Sequence, residues 1–254
     1  MRCSSLWPAA PSRCTEPPEM RAALAFLTPF PGARTPTPRA LRWFPFVGAA
    51  LGFALGGLWW ATAKIWPLPV AAFIVVLADL GLTGMLHLDG LADTADGLLP
   101  HLSRARRLEV MREPTVGAFG VGAVVVVLLG RFAVFATLRP APLLVAALWC
   151  LSRTAMAAVV DRVPYARRES GLPGAFMGAP LPVLGVAAVA LTTAALAAAW
   201  KVPAGPVAVG SSALGFGAVV LWARRRIGGY TGDVLGAAGM VGETIGLLVA
   251  AARW

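Results

Sequence analysis

Asp89, Asp93 and Asp96 stand at i, i+4 and i+7 in HLDGLADTADGL, residues 87–98. On a helix turning about 100° per residue, that spacing gathers three carboxylates within about 60° of one face. Like charges on one stripe repel, and at a membrane boundary each also loses hydration. A divalent cation relieves both costs. Oxygen-only ligands favour Mg²⁺, Mn²⁺ or Ca²⁺ over zinc, and Mg²⁺ commonly takes a few carboxylates plus substrate phosphates. Gly90 and Gly97 give close access to the helix. One Asp alone would read as a solvated residue; three on one stripe favour metal binding. His87, at the head of the segment, is a ligand, a base or an interfacial histidine held by a hydrogen bond.

Further along, Arg112 lies between Glu109 and Glu113 in EVMREPTVGAFG, residues 109–120, and Gly117 and Gly120 open the next apolar run. A helix N-terminus with exposed N–H groups attracts anions, and a guanidinium fork matches phosphate oxygens. Arg112 is therefore a candidate for phosphate contact. Arg104, Arg106 and Arg107 read as topology signals. Arg153 in LSRTAM, Asp233 in YTGDVLGA and Glu243 in GMVGETIG all fall in apolar runs. An ionisable residue inside a span is a functional candidate by default. Asp79 and Arg131 are weaker candidates, expected to pair with something.

Composition decides what scaffold must position these groups. Of 254 residues, 58% are hydrophobic and 13% charged, and the mean hydropathy is +0.73. A soluble domain has about 25% charged and 45–50% apolar residues. Disorder is excluded, because it needs low hydrophobicity and high charge. A soluble globule could not cover so much apolar surface, and three cysteines build no disulfide scaffold. The expected fold is an all-α, polytopic membrane bundle. Seven runs approach the length of a span: 46–63, 68–87, 117–137, 142–160, 183–200, 204–223 and 232–252. Prolines fall at or near their ends, and Gly48, Gly52, Gly56 and Gly57 suit close helix packing in lipid.

A net charge of +10 could suggest nucleic acid, but the positive-inside rule explains it better. From Met20, fourteen basic residues fall on one side of the seven spans: Arg21, Arg34, Arg39, Arg42, Arg104, Arg106, Arg107, Arg112, Arg162, Arg167, Arg168 and Arg224 to Arg226. Four fall on the other: Lys64, Arg139, Lys201 and Arg253. This partition predicts a cytoplasmic N-terminus. Residues 1–19, rich in Pro, Ser and Cys, read as a disordered extension ahead of a natural start at Met20. Residues 20–254 read as one membrane-embedded catalytic domain. Cys3 and Cys14 fit no zinc spacing, and Cys150 reads as core.

Several segments, in order, resemble one family. They are FLTPFPG at 26–32, WFPFVGAALG at 43–52, TGMLHLDGLADTADGL at 83–98 and RRLEVMREPTVGAFG at 106–120. SR at 152–153, YAR with GL at 165–172, and TGDVLGA with GE at 231–243 complete the set. They are similar to the integral-membrane cobalamin synthases, or adenosylcobinamide-GDP ribazoletransferases, and the third is the most specific. The chain departs where the family usually reads MRDSRIG: here it is MREPTVG, so Glu113 stands in place of Asp and reaches about one methylene further.

The resemblance implies transfer of α-ribazole, or its 5′-phosphate, onto adenosylcobinamide-GDP, giving adenosylcobalamin or its 5′-phosphate and GMP. It implies Mg²⁺, with Mn²⁺ as substitute, held by Asp89, Asp93, Asp96 and Glu113. His87, Arg112, Arg153, Asp233 and Glu243 are the implied catalytic residues. Arg112, Arg153, Gly117, Gly120, Tyr165 and Arg167 are the implied substrate and phosphate contacts. Its setting would be the bacterial cytoplasmic membrane, with the site on the cytoplasmic side. The expected partners are these substrates and the lipid bilayer, with an oligomer or complex with other cobalamin-pathway enzymes admitted and no nucleic acid. Two other readings compete with this one. A CDP-alcohol phosphatidyltransferase also carries spaced aspartates, but Asp93 stands where that motif has Arg. A transporter would carry its acids across the midplane, whereas here they gather at one face.

Overall fold

The computed structural model describes residues 18–29, 37–167 and 180–254. The extension expected over 1–19 falls outside them except for its last two residues, which open the first helix. Cys3, Cys14, Arg34, Arg168, residues 30–32 of FLTPFPG and 168–172 also lie outside the described residues.

The bundle is all-α. Helix α1 (Pro18–Leu27) leads to a 3-10 turn (Pro38–Trp43) and α2 (Phe44–Thr62). Next come α3 (Leu68–Leu82), α4 (Leu86–Leu98) and α5 (Arg104–Val110), then α6 (Ala118–Thr137) and α7 (Pro142–Arg162). The chain closes with α8 (Val183–Trp200), α9 (Ala204–Ile227) and α10 (Gly232–Ala250). Among the described residues, six helices are long and apolar enough to cross a membrane, and α3 with α4 can form a seventh, broken span. Six of the seven runs thus match a helix to within a few residues. Prolines at the first turns of α2, α3 and α7 sit where no N–H is needed.

The second run differs. It was expected to continue to residue 87 and carry straight into the acidic segment. Instead α3 stops at Leu82, and α4 leaves at 86° to it. Gly84 has φ +58° and Met85 φ +59°. The Met85 N–H donates to the Leu80 carbonyl at 2.9 Å, and the Gly84 N–H to that of Gly81 at 3.2 Å. This is the Schellman arrangement that ends helices at glycine. Met85 has a Cβ, so its left-handed backbone costs about 1 kcal/mol, which surrounding contacts must offset. The break turns the acidic helix away from the axis of α3.

Between helices in lipid, close packing replaces the hydrophobic drive. Helices α2 and α7 meet along Gly48, Gly52 and Gly56. A Cβ at these positions would stand 2.6 Å from the Trp149 carbonyl oxygen, the Ala146 Cα and the Pro142 Cα respectively. Gly57 has nothing within 4 Å, so it lies off that seam. Trp59 and Phe135 pack edge to face at 4.9 Å, tying α2 to α6. Helix α10 packs against α9 and α4, α3 against α6, and α8 against α7 and α9. Cys150, expected in the core, is half-buried.

Candidate active site

The acidic stripe forms as the spacing predicts, but its three members meet different surroundings. Asp89 is exposed, Asp93 half-buried and Asp96 buried. Among the described residues nothing donates a hydrogen bond to Asp89 or Asp93. Asp96 is fully engaged: Gly117 N–H donates to its Oδ2 at 2.7 Å, and Gly120 N–H to its Oδ1 at 2.9 Å. The free N–H groups at the start of α6 thus receive a carboxylate of the protein itself, which satisfies orphan donors and complements the helix dipole. Both glycines are needed for that approach. A Cβ on Gly117 would stand 2.6 Å from Asp96 Oδ1, and one on Gly120 would overlap the other oxygen.

Helix α10 supplies a fourth carboxylate. Gly90 lets α4 and α10 touch backbone to backbone, since a Cβ there would lie 2.8 Å from the Asp233 carbonyl oxygen. Thr231 caps α10, accepting from the Val234 N–H at 3.3 Å, and its hydroxyl donates to Asp233 Oδ2 at 3.1 Å. Arg167 donates to the same oxygen at 2.9 Å and to the Met111 carbonyl at 3.3 Å. Arg167 is brought there by a short parallel bridge between Tyr165 and Tyr230. In it Ala166 N–H donates to the Tyr230 carbonyl at 2.9 Å, and Tyr230 N–H to that of Pro164 at 3.1 Å. The two tyrosine rings meet edge to face at 5.4 Å. Burial and the Tyr165 phenol push the Tyr230 phenol up to about 12, so it stays protonated at physiological pH. The charges acting on Asp93 are those of Asp233, Asp89 and Asp96, opposed by Arg167. Acids outnumber bases here.

Among the described residues no three His, Cys, Asp or Glu side chains converge closely enough to hold an ion unaided. The donor chemistry suits a hard cation: Asp89, Asp93 and Asp233 offer oxygens of one sign with few donors. Mg²⁺ takes one or two carboxylates and completes its shell with water and phosphate.

The other candidates lie elsewhere. His87 is on the far side of α4 from the acids and is buried. It lines a small cavity with Asp79, Arg131, Arg153 and Glu243, and its Nδ1 has no partner. Arg153 and Glu243 are each 2% exposed and pair with each other inside the bundle. Glu113 pairs with Arg106 at 2.8 Å on an outer face. Arg112 is exposed in the turn between α5 and α6.

The three basic residues expected as topology signals do three separate things. Arg104 lies against Gly228, at the end of α9. Arg106 pairs with Glu109 and Glu113. Arg107 is buried and donates to the carbonyls of Gly97 and Leu98 at 2.8 and 2.9 Å, capping α4. Burial and the charge of Arg226 lower its pKa. The roles of Arg107 and Thr231 were not anticipated. Thr231 had a signal, a capping residue just ahead of an apolar run; Arg107 had none.

Residues 19–251 match the model of the family described as cobalamin-5-phosphate synthase. The chain belongs to that family. An adenosylcobinamide-GDP ribazoletransferase of Leptothrix cholodnii is 38% identical over 208 residues, 78% of each chain. One of Chlorobaculum parvum is 39% identical, covering 85% of this chain and 86% of its own. One of Escherichia coli O127:H6 is 37% identical, covering 89% and 96%. No solved structure matches. Within this synthase family member, the resembling segments 83–98, 106–120 and 231–243 supply α4, the approach to α6 and most of α10, the elements that frame the carboxylates.

Proposed function

We propose that this membrane protein transfers α-ribazole, or its 5′-phosphate, onto adenosylcobinamide-GDP, giving adenosylcobalamin or its 5′-phosphate and GMP. The observation that carries the reading is the unbalanced carboxylate face of Asp89, Asp93 and Asp233, with Arg167 beside it. The transfer forms one P–O bond to a ribose hydroxyl and breaks the P–O bond to the departing GMP. Such reactions depend on positioning and on neutralising phosphate charge. Mg²⁺, or Mn²⁺ in its place, would be held by one or two of Asp89, Asp93 and Asp233 together with substrate phosphate, and would supply that neutralisation. Asp96 anchors α4 to α6 and keeps the stripe in register. Arg167, already within reach of Asp233, presents a guanidinium to phosphate oxygens, and Arg112 stands exposed at the same end of α5. With His87 turned to the other face of α4, the hydroxyl proton passes to Asp89 or Asp93, the carboxylates that receive no donor among the described residues.

The site belongs on the cytoplasmic side of the bacterial cytoplasmic membrane, which suits a nucleotide substrate. Supporting this, basic residues of separate connections gather at the end of the bundle where α4 ends and α10 begins: Arg104 at Gly228, Arg107 near Arg226, Arg167 at Asp233. The test is GMP release by protein in lipid vesicles given both substrates, with Mg²⁺ or with EDTA. Metal-dependent GMP together with a cobalamin product is expected. GMP unaffected by EDTA would remove the metal, and no GMP from folded protein would remove the reaction.

A further inference from the structure

Where α3, α6, α7 and α10 meet, four charged side chains lie almost wholly buried. Arg131 is 1% exposed, Arg153 and Glu243 2% each, and Asp79 6%. Arg131 sits between the two acids, pairing with Asp79 and with Glu243, the latter at 2.7 Å. Its Nε donates to Thr244 Oγ1 at 3.0 Å, and a terminal nitrogen donates to the Met240 carbonyl at 3.2 Å. Arg153 holds the other oxygen of Glu243. Trp149 Nε1 donates to Asp79 at 3.2 Å, and its ring lies 5.1 Å from the Arg131 guanidinium carbon. Two acids and two guanidiniums balance to zero, the condition under which charges can be kept out of water.

Both ends of this quartet lead to the carboxylate face. Asp79 belongs to the last turn of α3. Its carbonyl accepts from the Thr83 hydroxyl at 2.8 Å and the Thr83 N–H at 3.1 Å, immediately before the elbow from which α4 departs. Glu243, Met240 and Thr244 belong to α10, the helix that carries Asp233. The α4–α10 crossing has no slack: a Cβ at Gly236 would stand 3.1 Å from the His87 Cα, and Gly90 abuts Asp233.

We propose that Asp79 and Arg131 are positioning residues for the transferase: they fix the elbow of α4 and the register of α10 together, so that Asp233 stands against Asp89 and Asp93. The proposal rests on the carboxylate site described above. A fork that satisfies four acceptors on two helices leaves neither helix free to slide, and the acids it aligns touch substrate while it does not.

The test follows GMP release by the full chain in lipid vesicles. Arg131→Lys keeps the charge but replaces the fork with a single ammonium. It is expected to lower kcat about tenfold or more, with KM within about threefold, among molecules that remain folded. Asp233→Glu already displaces its own carboxylate, so in that background Arg131→Lys should cost less than about threefold. Thr244→Val, a gentler change that removes one acceptor of the fork, should lower kcat about threefold and keeps the question open to experiment if Arg131→Lys does not fold. Equal fold-losses in both backgrounds, or no loss in Thr244→Val, would make the quartet a stability element only and overturn the proposal alone. Full GMP release from Asp89→Asn and Asp93→Asn would overturn the carboxylate site, and the proposal with it.

Discussion

The buried quartet and the open carboxylate face each take an acid from α10, Glu243 and Asp233, but the quartet closes on its acids while the face leaves those of α4 uncovered. Inside, every acid oxygen has a donor: Asp79 receives from Arg131 and Trp149, and Glu243 from Arg131 and Arg153. At the face, Asp89 and Asp93 have no donor among the described residues, and one guanidinium, Arg167, stands near several acids. Closed and balanced charge holds helices together. Open and unbalanced charge attracts a ligand of the opposite sign. Counting partners thus separates the charged residues that can meet a ligand from those that position them.

Breaking the open side should cost activity without costing the fold. Asp93→Asn is expected to lower GMP release at least about a hundredfold. Because it relieves repulsion from Asp89, Asp96 and Asp233, its melting temperature in detergent without metal should not fall. Full activity in this variant would break the contrast at once.

Breaking the closed side should cost the fold first. Glu243→Gln leaves two guanidiniums in the bundle with one acid. Loss of one partner of a buried pair costs about 3–5 kcal/mol. Thermal unfolding of the detergent-solubilised protein should therefore show a large drop, with turnover lost along with the fold. An unchanged melting temperature would mean the quartet carries no stability.

The two regions also differ in how far the sequence discloses them. The stripe is local, set by a helical repeat within eight residues, and hydropathy alone placed six spans to within a few residues. The quartet is not local. Its hydrogen bonds join residues 52, 112 and 90 positions apart, and no periodicity links Asp79 to Arg131 or Arg153 to Glu243. The sequence names all four, Arg153 and Glu243 as catalytic candidates and Asp79 and Arg131 as groups expected to pair, but holds no signal for which partner each one takes. The elbow at Thr83–Gly84 was available as a helix-stop signal, but the apolar run on its left drew the span onward. The separate fate of Asp96 depends on where α6 begins in space, which its spacing from Asp93 does not contain.

Asp96 is the member that sharpens the comparison. It shares the stripe with Asp93, yet both of its oxygens are taken, as in the quartet. Asp96→Asn keeps one acceptor oxygen and loses the charge that faces the α6 dipole. It is expected to lower stability by about 1 kcal/mol and to cost less activity than Asp93→Asn. A variant as inactive as Asp93→Asn but fully stable would move Asp96 to the open side.

The smallest effect belongs to Glu113, where this chain departs from the aspartate of the resembling segments. Its carboxylate meets Arg106 at 2.8 Å, with 39% of the side chain exposed. Exposed pairs of this kind are screened by solvent and contribute little, and Arg106 has Glu109 as a second partner at 3.0 Å. Glu113→Asp shortens the reach while the charge remains. GMP release within about twofold of the parent and an unchanged melting temperature are expected. Complete inactivation would require this carboxylate to leave Arg106 and join the open acids during turnover. The turn between α5 and α6 would then belong to the reacting site, not to its outer wall.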